Sequence, residues 1–513
     1  MKQLFKNKNW LVIDKPCGIS THGAWDGDLA VQEWLQLHRA EETFVCSRLD
    51  KGTSGVLLFA RNAESSALAQ QIHEKNEAQK VYFFLSDKDS QKVFGKSEWK
   101  CDLPLDGKEC QTLFLRVGKK DHLYLYQASI FRGRTHQIRR HAQSFGLTIA
   151  GDSEYGGVFF PRLALHCQSV NWPGQGDPWV SELPQSFENP AGVCGEPGIY
   201  ISSESRGNFY ENICSAFRCL HRGELQKFDI AVDKYADWLC VWSYDETMPD
   251  NELVNQITPL VNVLMNRYKC DGWVLKRARK NPHGRGLIAI QLLFGNPPPP
   301  WFEVVEHGIK YRVTLTESQH VGLFLDQRDN RRRVALESAQ KRVANLFSYT
   351  CSFSLAAAVG GAEVVFSVDI AKPCLDIGKL NFASAGLAQS GQGKFIQEDA
   401  RDWLKRQVRK LTADSNAPKL DLIVCDPPTF ASTSGKEFSV EESWNELAAQ
   451  SAFLLSANGV AYFSTNHRGG TAEKYQKILE NHFSKVTKLS NPIDFPESSN
   501  APLHVKLFKC AMK

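Results

Sequence analysis

The sequence contains no apolar run near the roughly 18 residues that a membrane-crossing helix requires. Its mean hydropathy is −0.34, which excludes a helical membrane protein. The opening MKQLFKNKNWLVIDKP has neither a long apolar stretch nor a small-residue cleavage site, so the expected location is the cytoplasm. No CxxC occurs among the 14 cysteines, and the nearest pair, Cys214 and Cys219, lacks a His or a second pair at zinc-finger spacing. No metal is therefore expected, and cysteines scattered from Cys17 to Cys510 read as small core residues rather than a disulfide framework. Charge of one sign is also scarce. Lys+Arg 61 against Asp+Glu 57 leaves only +4, so any nucleic-acid surface has to be local. Repeats and low-complexity tracts are absent too. What is present is length: 513 residues exceed one ordinary core, and two or three domains are expected.

Residues 1–190 alternate short strands and turns with helical stretches, as in WLVIDKPCGIS, RLDKGTSGVLLFARN, AESSALAQQIHEKN and KVYFFLS, which predicts an α+β domain. A Pro-, Gly- and Ser-rich stretch without hydrophobic period follows, and 191–225 reads as a linker. Residues 226–300 form a small α+β module, with FDIAVDKYADWLCVWSYDE as strands and ELVNQITPLVNVLMNRYK as an amphipathic helix. In 301–513 a hairpin turning at His307-Gly308 precedes strands alternating with helices of roughly 10 to 15 residues, the pattern of a doubly wound, Rossmann-like α/β domain.

In such a sheet ligands bind beyond the carboxyl ends of the strands. Those ends carry Phe347-Ser348-Tyr349-Thr350, then Asp369, Asp399 and finally Asp426-Pro427-Pro428-Thr429-Phe430. Asp369 stands about 20 residues after the first loop, where an acid would hold a ribose diol. The loop lacks G-x-G-x-x-G, which disfavours a nicotinamide dinucleotide and leaves S-adenosylmethionine as the adenosine ligand. The bland alternative is that Asp369 and Asp399 are helix N-caps. In DLIVCDPPTF two prolines fix an extended loop after a strand, and Phe430 offers a stacking face. Lys276, Arg277, Arg279, Lys280, Arg328 and Arg331 to Arg333 would make either a local phosphate-binding surface or an ordinary solvated face.

The Asp-Pro-Pro-aromatic segment is the signature of base-modifying methyltransferases. Together with NLFSYTCSFSLAAAVGG, GLFLDQRDNRR and YFSTNHR it resembles the large-subunit rRNA methyltransferases of the RlmK and RlmI type, over roughly 225–513, with closest likeness to the half of RlmL that makes 7-methylguanine. The resemblance implies S-adenosylmethionine as cofactor, held by Asp326, Arg328, Phe347, Ser348, Tyr349, Thr350, Asp369, Asp399, Asp426 and Pro427, with Asp426 catalytic and Phe430, Lys276 and Arg277 on RNA. Guanine N7 already carries a lone pair, so its methylation needs alignment and a nearby negative charge, which Asp426 offers. Cytosine C5 would need a cysteine nucleophile. Cys425 is adjacent, but as a strand residue it is expected to point into the sheet. Cys351 stands where the family loop has Gly.

Near the N-terminus Arg48-Leu49-Asp50-Lys51-Gly52-Thr53-Ser54-Gly55 is, alone, a plausible turn. Its company is Lys15-Pro16 with Gly18, Lys80 and Tyr82, Gly133-Arg134-Thr135-His136-Gln137-Ile138-Arg139, and Gly151-Asp152 with Tyr155-Gly156. This set resembles the RluA-type pseudouridine synthases across about 8–180. The resemblance implies that Asp50 is catalytic, as nucleophile or as base on the ribose, that Arg139 pairs with it, and that Tyr82 stacks on the uracil and moves a proton. Arg48 would fill the gap left by the extruded base, and Arg134 would contact RNA. No cofactor is needed for this isomerisation. Ser47 replaces a common His and Gly52 a common Asp.

The leading expectation is thus a fused RNA-modification enzyme with RNA, large-subunit rRNA or a ribosome assembly intermediate, as partner. The alternatives are methylation of cytosine C5, a non-catalytic rRNA-binding assembly factor, and a DNA-base methyltransferase, which leaves residues 8–180 unexplained.

Overall fold

The computed structural model of the protein describes the chain apart from residues 24–28, 192–205, 207–208, 211–212, 226, 246, 281–286, 319, 429, 434–435, 497–504 and 513; of 278–280, 287–290, 430–433 and 436–439 it describes the backbone alone. Two compact units emerge. One comprises Met1–Asn212, Glu224–Phe228 and Pro249–Tyr268, the other Ile213–Gly223, Asp229–Met248 and Lys269–Lys513. No helix among the described residues is long and apolar enough to cross a membrane.

The first unit is built on ten strands: β1 (Gln3–Lys6), β2 (Trp10–Lys15), β3 (Phe44–Val45), β4 (Ser54–Ala60), β5 (Gln79–Ser86), β6 (Glu98–Cys101), β7 (Thr112–Lys120), β8 (Leu123–Ile130), β9 (Leu165–Asn171) and β10 (Trp179–Val180). They run in the order β1-β2-β4-β9-β5-β8-β7-β6, with β10 beside β9 and β3 beside β4. Only the pairing of β4 with β9 is parallel. SGVLLFA in β4 is buried at every position, because this strand is covered on both faces. Leu57, Phe59, Phe84 and Tyr126 are wholly inaccessible, each such side chain stabilising the fold by roughly 1.5–3 kcal/mol. Gly55 makes the parallel crossing possible: at φ +110° a Cβ there would fall 2.1 Å from the Cys167 carbonyl oxygen. That approach ties the strand leaving Asp50 to β9, whose Cys167 pairs with Tyr82 of β5.

The second unit holds a five-stranded sheet, β11 (Ala216–Leu220), β12 (Ile230–Tyr235), β13 (Trp238–Ser243), β14 (Gly272–Lys280) and β15 (Leu287–Gly295), in sequential order. A hairpin of β16 (Phe302–Glu306) and β17 (Ile309–Val313) follows. Its two turn residues, His307 and Gly308, both have positive φ, 52° and 80°, the type I′ requirement.

Seven further strands make the principal sheet: β18 (Arg342–Leu346), β19 (Val364–Asp369), β20 (Gly393–Gln397), β21 (Leu420–Cys425), then, after the small hairpin β22 (Phe430–Thr433) and β23 (Lys436–Ser439), β24 (Leu455–Thr465), β25 (Lys485–Leu489) and β26 (Lys506–Ala511). Their order is β20-β19-β18-β21-β24-β26-β25. The first five are parallel and β26 is antiparallel to β24. Beyond the irregularity at Leu420–Leu422, alternate residues of β21 enter opposite cores, Leu422 and Val424 on one face, Ile423 and Cys425 on the other. The direction of winding reverses between β18 and β21, which sets a crevice at their carboxyl ends.

Candidate active sites

The first unit opens into a cleft of about 1270 Å³ lined by the segments that carry the N-terminal motifs, among them Arg48, Asp50, Tyr82, Arg134, His136 and Arg139. Asp50 sits on a turn closed by Thr53 N–H donating to its carbonyl at 3.0 Å. The next carbonyl, Lys51 O, accepts from Gly18 N–H at 2.7 Å and from Lys15 Nζ at 3.3 Å. Lys15 is fully buried and also donates to Pro16 O (3.0 Å) and Ile19 O (2.8 Å). Burial pushes its pKa down to about 7, with the charge of Asp50 among the opposing influences. Three carbonyl acceptors nevertheless match the three donors of an ammonium. The Lys-Pro…Gly segment therefore positions the turn that carries Asp50.

Arg139 lies in the first turn of the helix Gln137–Ser144, whose N-cap, His136, adopts the left-handed conformation. Its guanidinium is 3.8 Å from Asp50 Oδ2, an ion pair longer than a hydrogen bond. The tight partners of Arg139 are elsewhere. Nε and Nη2 donate to the two oxygens of inaccessible Asp152, both at 2.7 Å, and Nη2 donates to Glu154 at 2.9 Å. Burial would lower the Arg139 pKa, but the bonds to Asp152 overcome it and hold the guanidinium charged. His136 Nε2 is 3.9 Å from the same Asp50 oxygen, and its Nδ1 is 3.0 Å from the Tyr155 hydroxyl. Asp152 and His136 lie within the quoted motifs, yet their functional places are visible only in three dimensions.

Tyr82 is 6% exposed, and burial, followed by the neighbouring Cys167, pushes its phenol well above 10. It remains a phenol at neutral pH, able to donate a proton and not poised to abstract one. Arg48 is exposed on the cleft, as a residue reaching into RNA would be. A Cβ at Gly52 would stand 3.0 Å from that of Leu163, so a side chain there requires Leu163 to give by a few tenths of an ångström.

In the second unit a cleft of about 560 Å³ lies at the carboxyl ends of the parallel strands. Asp326, Phe347, Ser348, Tyr349, Asp369, Asp399, Asp426 and Pro427 line it. The loop after β18 is strained: Phe347, Tyr349 and Cys351 all have positive φ, 56°, 47° and 62°. Cys351 thus occupies a conformation that favours glycine, and its buried Sγ uses space that only the glycine at 378 leaves open. Asp369 fastens this loop, accepting from Tyr349 N–H and Ala371 N–H, each at 2.8 Å. Burial raises its pKa against those bonds. Asp399 is the N-cap of the helix Ala400–Ala413, accepting from Arg401 N–H at 2.8 Å while its carboxylate also holds the Arg401 guanidinium. Asp426 accepts from Ser464 Oγ at 2.5 Å. Burial pushes it up to about 6, against the Ser464 hydrogen bond.

Several expected residues stand elsewhere. Arg328 is inaccessible and does not line the cleft; it donates twice to Asp494 at 2.9 Å and to Ala216 O at 3.1 Å. Arg331, 2% exposed, lines the cleft but clasps Glu306 at 2.9 and 2.8 Å. Lys276 and Arg277 are 1% and 2% exposed and bond to backbone carbonyls, Lys276 to Ser318 O and Arg277 to Met248 O and Asp245 O. These four arginine and lysine side chains sit inside the fold, which corrects the expected phosphate-binding surface: a buried cation needs fixed acceptors, and the fold supplies them. Thr350 likewise turns inward to Gly322 O at 2.6 Å. The side chains of Phe430, Arg279 and Lys280 lie outside the described residues. Cys425 is inaccessible, and burial pushes its thiol far above the ordinary range. Residues not foreseen include Phe324, Ile370, Arg401 and Thr465 on the cleft and Ser464 behind Asp426.

Residues 9–144 match the family model of RNA pseudouridylate synthases, and residues 263–509 match that of S-adenosylmethionine-dependent methyltransferases. Two separate parts of the chain are thus each similar to one of these families. The chain is similar to ribosomal RNA large subunit methyltransferase K/L of Alteromonas mediterranea, 31% identical over 281 residues, and of Shewanella pealeana, 32% identical over 286 residues. Each match covers 54% of this chain and 38% of the relative, so the chain spans less than half the length of these proteins. Among solved structures, a protein described as a methyltransferase and complexed with SAH is 27% identical, with a TM-score of 0.53, over 69% of this chain and 89% of that one. The pseudouridylate synthase family model lies on the unit that carries Asp50, Tyr82 and Arg139. The methyltransferase requires S-adenosylmethionine as cofactor. The second cleft fits it: the Asp369 carboxylate suits a ribose diol, and Ile370 and Phe347 give the apolar walls an adenine needs.

Proposed function

We propose that this protein modifies RNA at two separate sites, isomerising uridine to pseudouridine in the first unit and methylating a base of large-subunit rRNA in the second, with guanine N7 the favoured atom. An enzyme of this kind is expected to work in the cytoplasm.

The observation that carries the first half is the convergence of Asp50, Arg139 and Tyr82 on one cleft. Isomerisation breaks the bond from ribose C1′ to uracil N1 and makes one from C1′ to C5, while the proton lost from C5 is balanced by one gained at N1. Asp50 acts as nucleophile or as base on the ribose. Arg139, locked by Asp152, keeps a fixed positive charge beside that carboxylate. Tyr82 offers its ring to the uracil and, as a phenol, a proton to it. The extruded base leaves a gap that exposed Arg48 is placed to fill.

Bound S-adenosylmethionine supplies an electrophilic methyl group. Asp326, Phe347, Ser348, Tyr349, Asp369 and Pro427 are the residues that would hold it, with Asp399 acting through Arg401. Guanine N7 is favoured over cytosine C5 because Cys425 points into the core and its thiol stays protonated, leaving no thiolate to add to a pyrimidine ring. Asp426, ionised above about pH 6, supplies the negative charge that a developing N7 cation calls for. The test is incubation of the protein with rRNA and, separately, tRNA from cells lacking it, with labelled S-adenosylmethionine, followed by mapping of both marks. Pseudouridine together with 7-methylguanine is expected. Marks in tRNA alone would overturn the choice of rRNA, and 5-methylcytosine would overturn the choice of guanine.

A further inference from the structure

Phe324 is 45% exposed, although it sits at the rim of the methyltransferase cleft rather than on open surface. An isolated exposed aromatic is unremarkable. This one has company. Its ring centroid is 5.4 Å from that of Tyr349 and 6.2 Å from that of exposed His320, and all three rings line the cleft. The backbone beneath is immobilised, because Phe324 O accepts from Arg331 Nη1 at 2.7 Å and Arg331 is itself clamped by buried Glu306. Tyr349 is held in its left-handed conformation by the Asp369 bond to its amide. An exposed Phe324 held against half-buried Tyr349 leaves apolar surface in water from which the fold gains nothing, and a flat partner would remove that exposure.

We propose that Phe324, with Tyr349 beside it, is the stacking platform for the target base extruded from RNA. This rests on the methyltransferase reading above and names the part of the site that receives the nucleic acid. The occupant is a nucleobase because the two rings line the same cleft as Asp426, Pro427 and Pro428, so a flat base received there shares the cleft with the carboxylate assigned to its chemistry. Stacking is indifferent to base identity, and the platform contributes affinity while Asp426 and its neighbours contribute selection.

The test uses the full chain, labelled S-adenosylmethionine, and rRNA purified from cells lacking the protein. Phe324→Ala is expected to raise the RNA KM by about 5- to 100-fold, with S-adenosylmethionine affinity by calorimetry unchanged within about twofold. Phe324→Trp should retain the wild-type KM, and Phe324→Leu should behave like the alanine variant. An unchanged RNA KM in Phe324→Ala, wild-type behaviour of Phe324→Leu, or an equal loss of cofactor affinity each overturns the platform. A wild-type protein that methylates no RNA overturns the methyltransferase reading instead, so the two failures are distinguishable. Because Phe324 is exposed, its variants should keep the wild-type thermal midpoint.

Discussion

Replacing Gly378 by alanine should destabilise the second unit, even though alanine is the better helix residue. Gly378 lies inside the helix Lys372–Ser384, where the exchange alone would gain roughly 0.5–1 kcal/mol. The added Cβ, however, would stand 2.4 Å from Cys351 Sγ and 2.8 Å from Cys351 Cβ, against roughly 3.5–4.0 Å for relaxed contact. More than an ångström of movement is demanded of a loop already strained at Phe347, Tyr349 and Cys351. Overpacking of this kind costs about 1–3 kcal/mol, so the net loss should lie between about 0 and 2.5 kcal/mol. In a unit this large that lowers the melting temperature by roughly 2–4 °C per kcal/mol. Affinity for S-adenosylmethionine should fall as well, because the displaced loop lines the cleft. Cys351→Gly removes the obstructing sulfur and suits the backbone, at φ +62°, better than cysteine. The double variant Cys351→Gly, Gly378→Ala should therefore recover, with a coupling of about 0.5–3 kcal/mol. Scanning calorimetry and cofactor titration on the four proteins decide the matter. A more stable Gly378→Ala, or strictly additive effects, would refute the claim that these positions share one space.

Two further outcomes follow from buried charges. Asp152→Asn should cost about 2–4 kcal/mol of stability in the first unit by unbalancing buried Arg139, and should slow pseudouridine formation about 100-fold through misplacement of that side chain; a rate within threefold of wild type would dismiss the positioning role. For Asp426 the raised pKa means that the carboxylate is protonated below about pH 6, so methylation should decline as pH falls through that value. Ser464→Ala removes the hydrogen bond that favours the ionised form, so the acidic limb should move to higher pH; a limb left in place, read from the pH dependence of kcat/KM, would separate it from Asp426.

Periodicity and turn chemistry carried the fold a long way. The parallel strands end within two residues of the positions read from hydrophobic runs, and the His307-Gly308 turn is where the sequence places it, because these signals are local. Charge did not read the same way. Lys276, Arg277, Arg328 and Arg331 look like a basic surface in one dimension, but each has an acceptor far along the chain or folded back onto it, such as Asp494 for Arg328. Asp369 and Asp399 look alike as strand-end acids, yet Asp399 caps a helix while Asp369 binds the amide of a loop 20 residues earlier. Asp152 and Phe324 fall within recognisable motifs, but their places were not legible for the same reason: one bonds Arg139 and the other packs beside Tyr349.

The central claim is that one chain carries two independent RNA-modifying sites. Nucleoside mass spectrometry of rRNA treated with wild-type protein, Asp50→Ala and Asp426→Ala addresses it most directly. Asp50→Ala should leave methylation intact and abolish pseudouridine, and Asp426→Ala should do the reverse. Pseudouridine made by the Asp50→Ala protein, or loss of both marks from either well-folded variant, would contradict it.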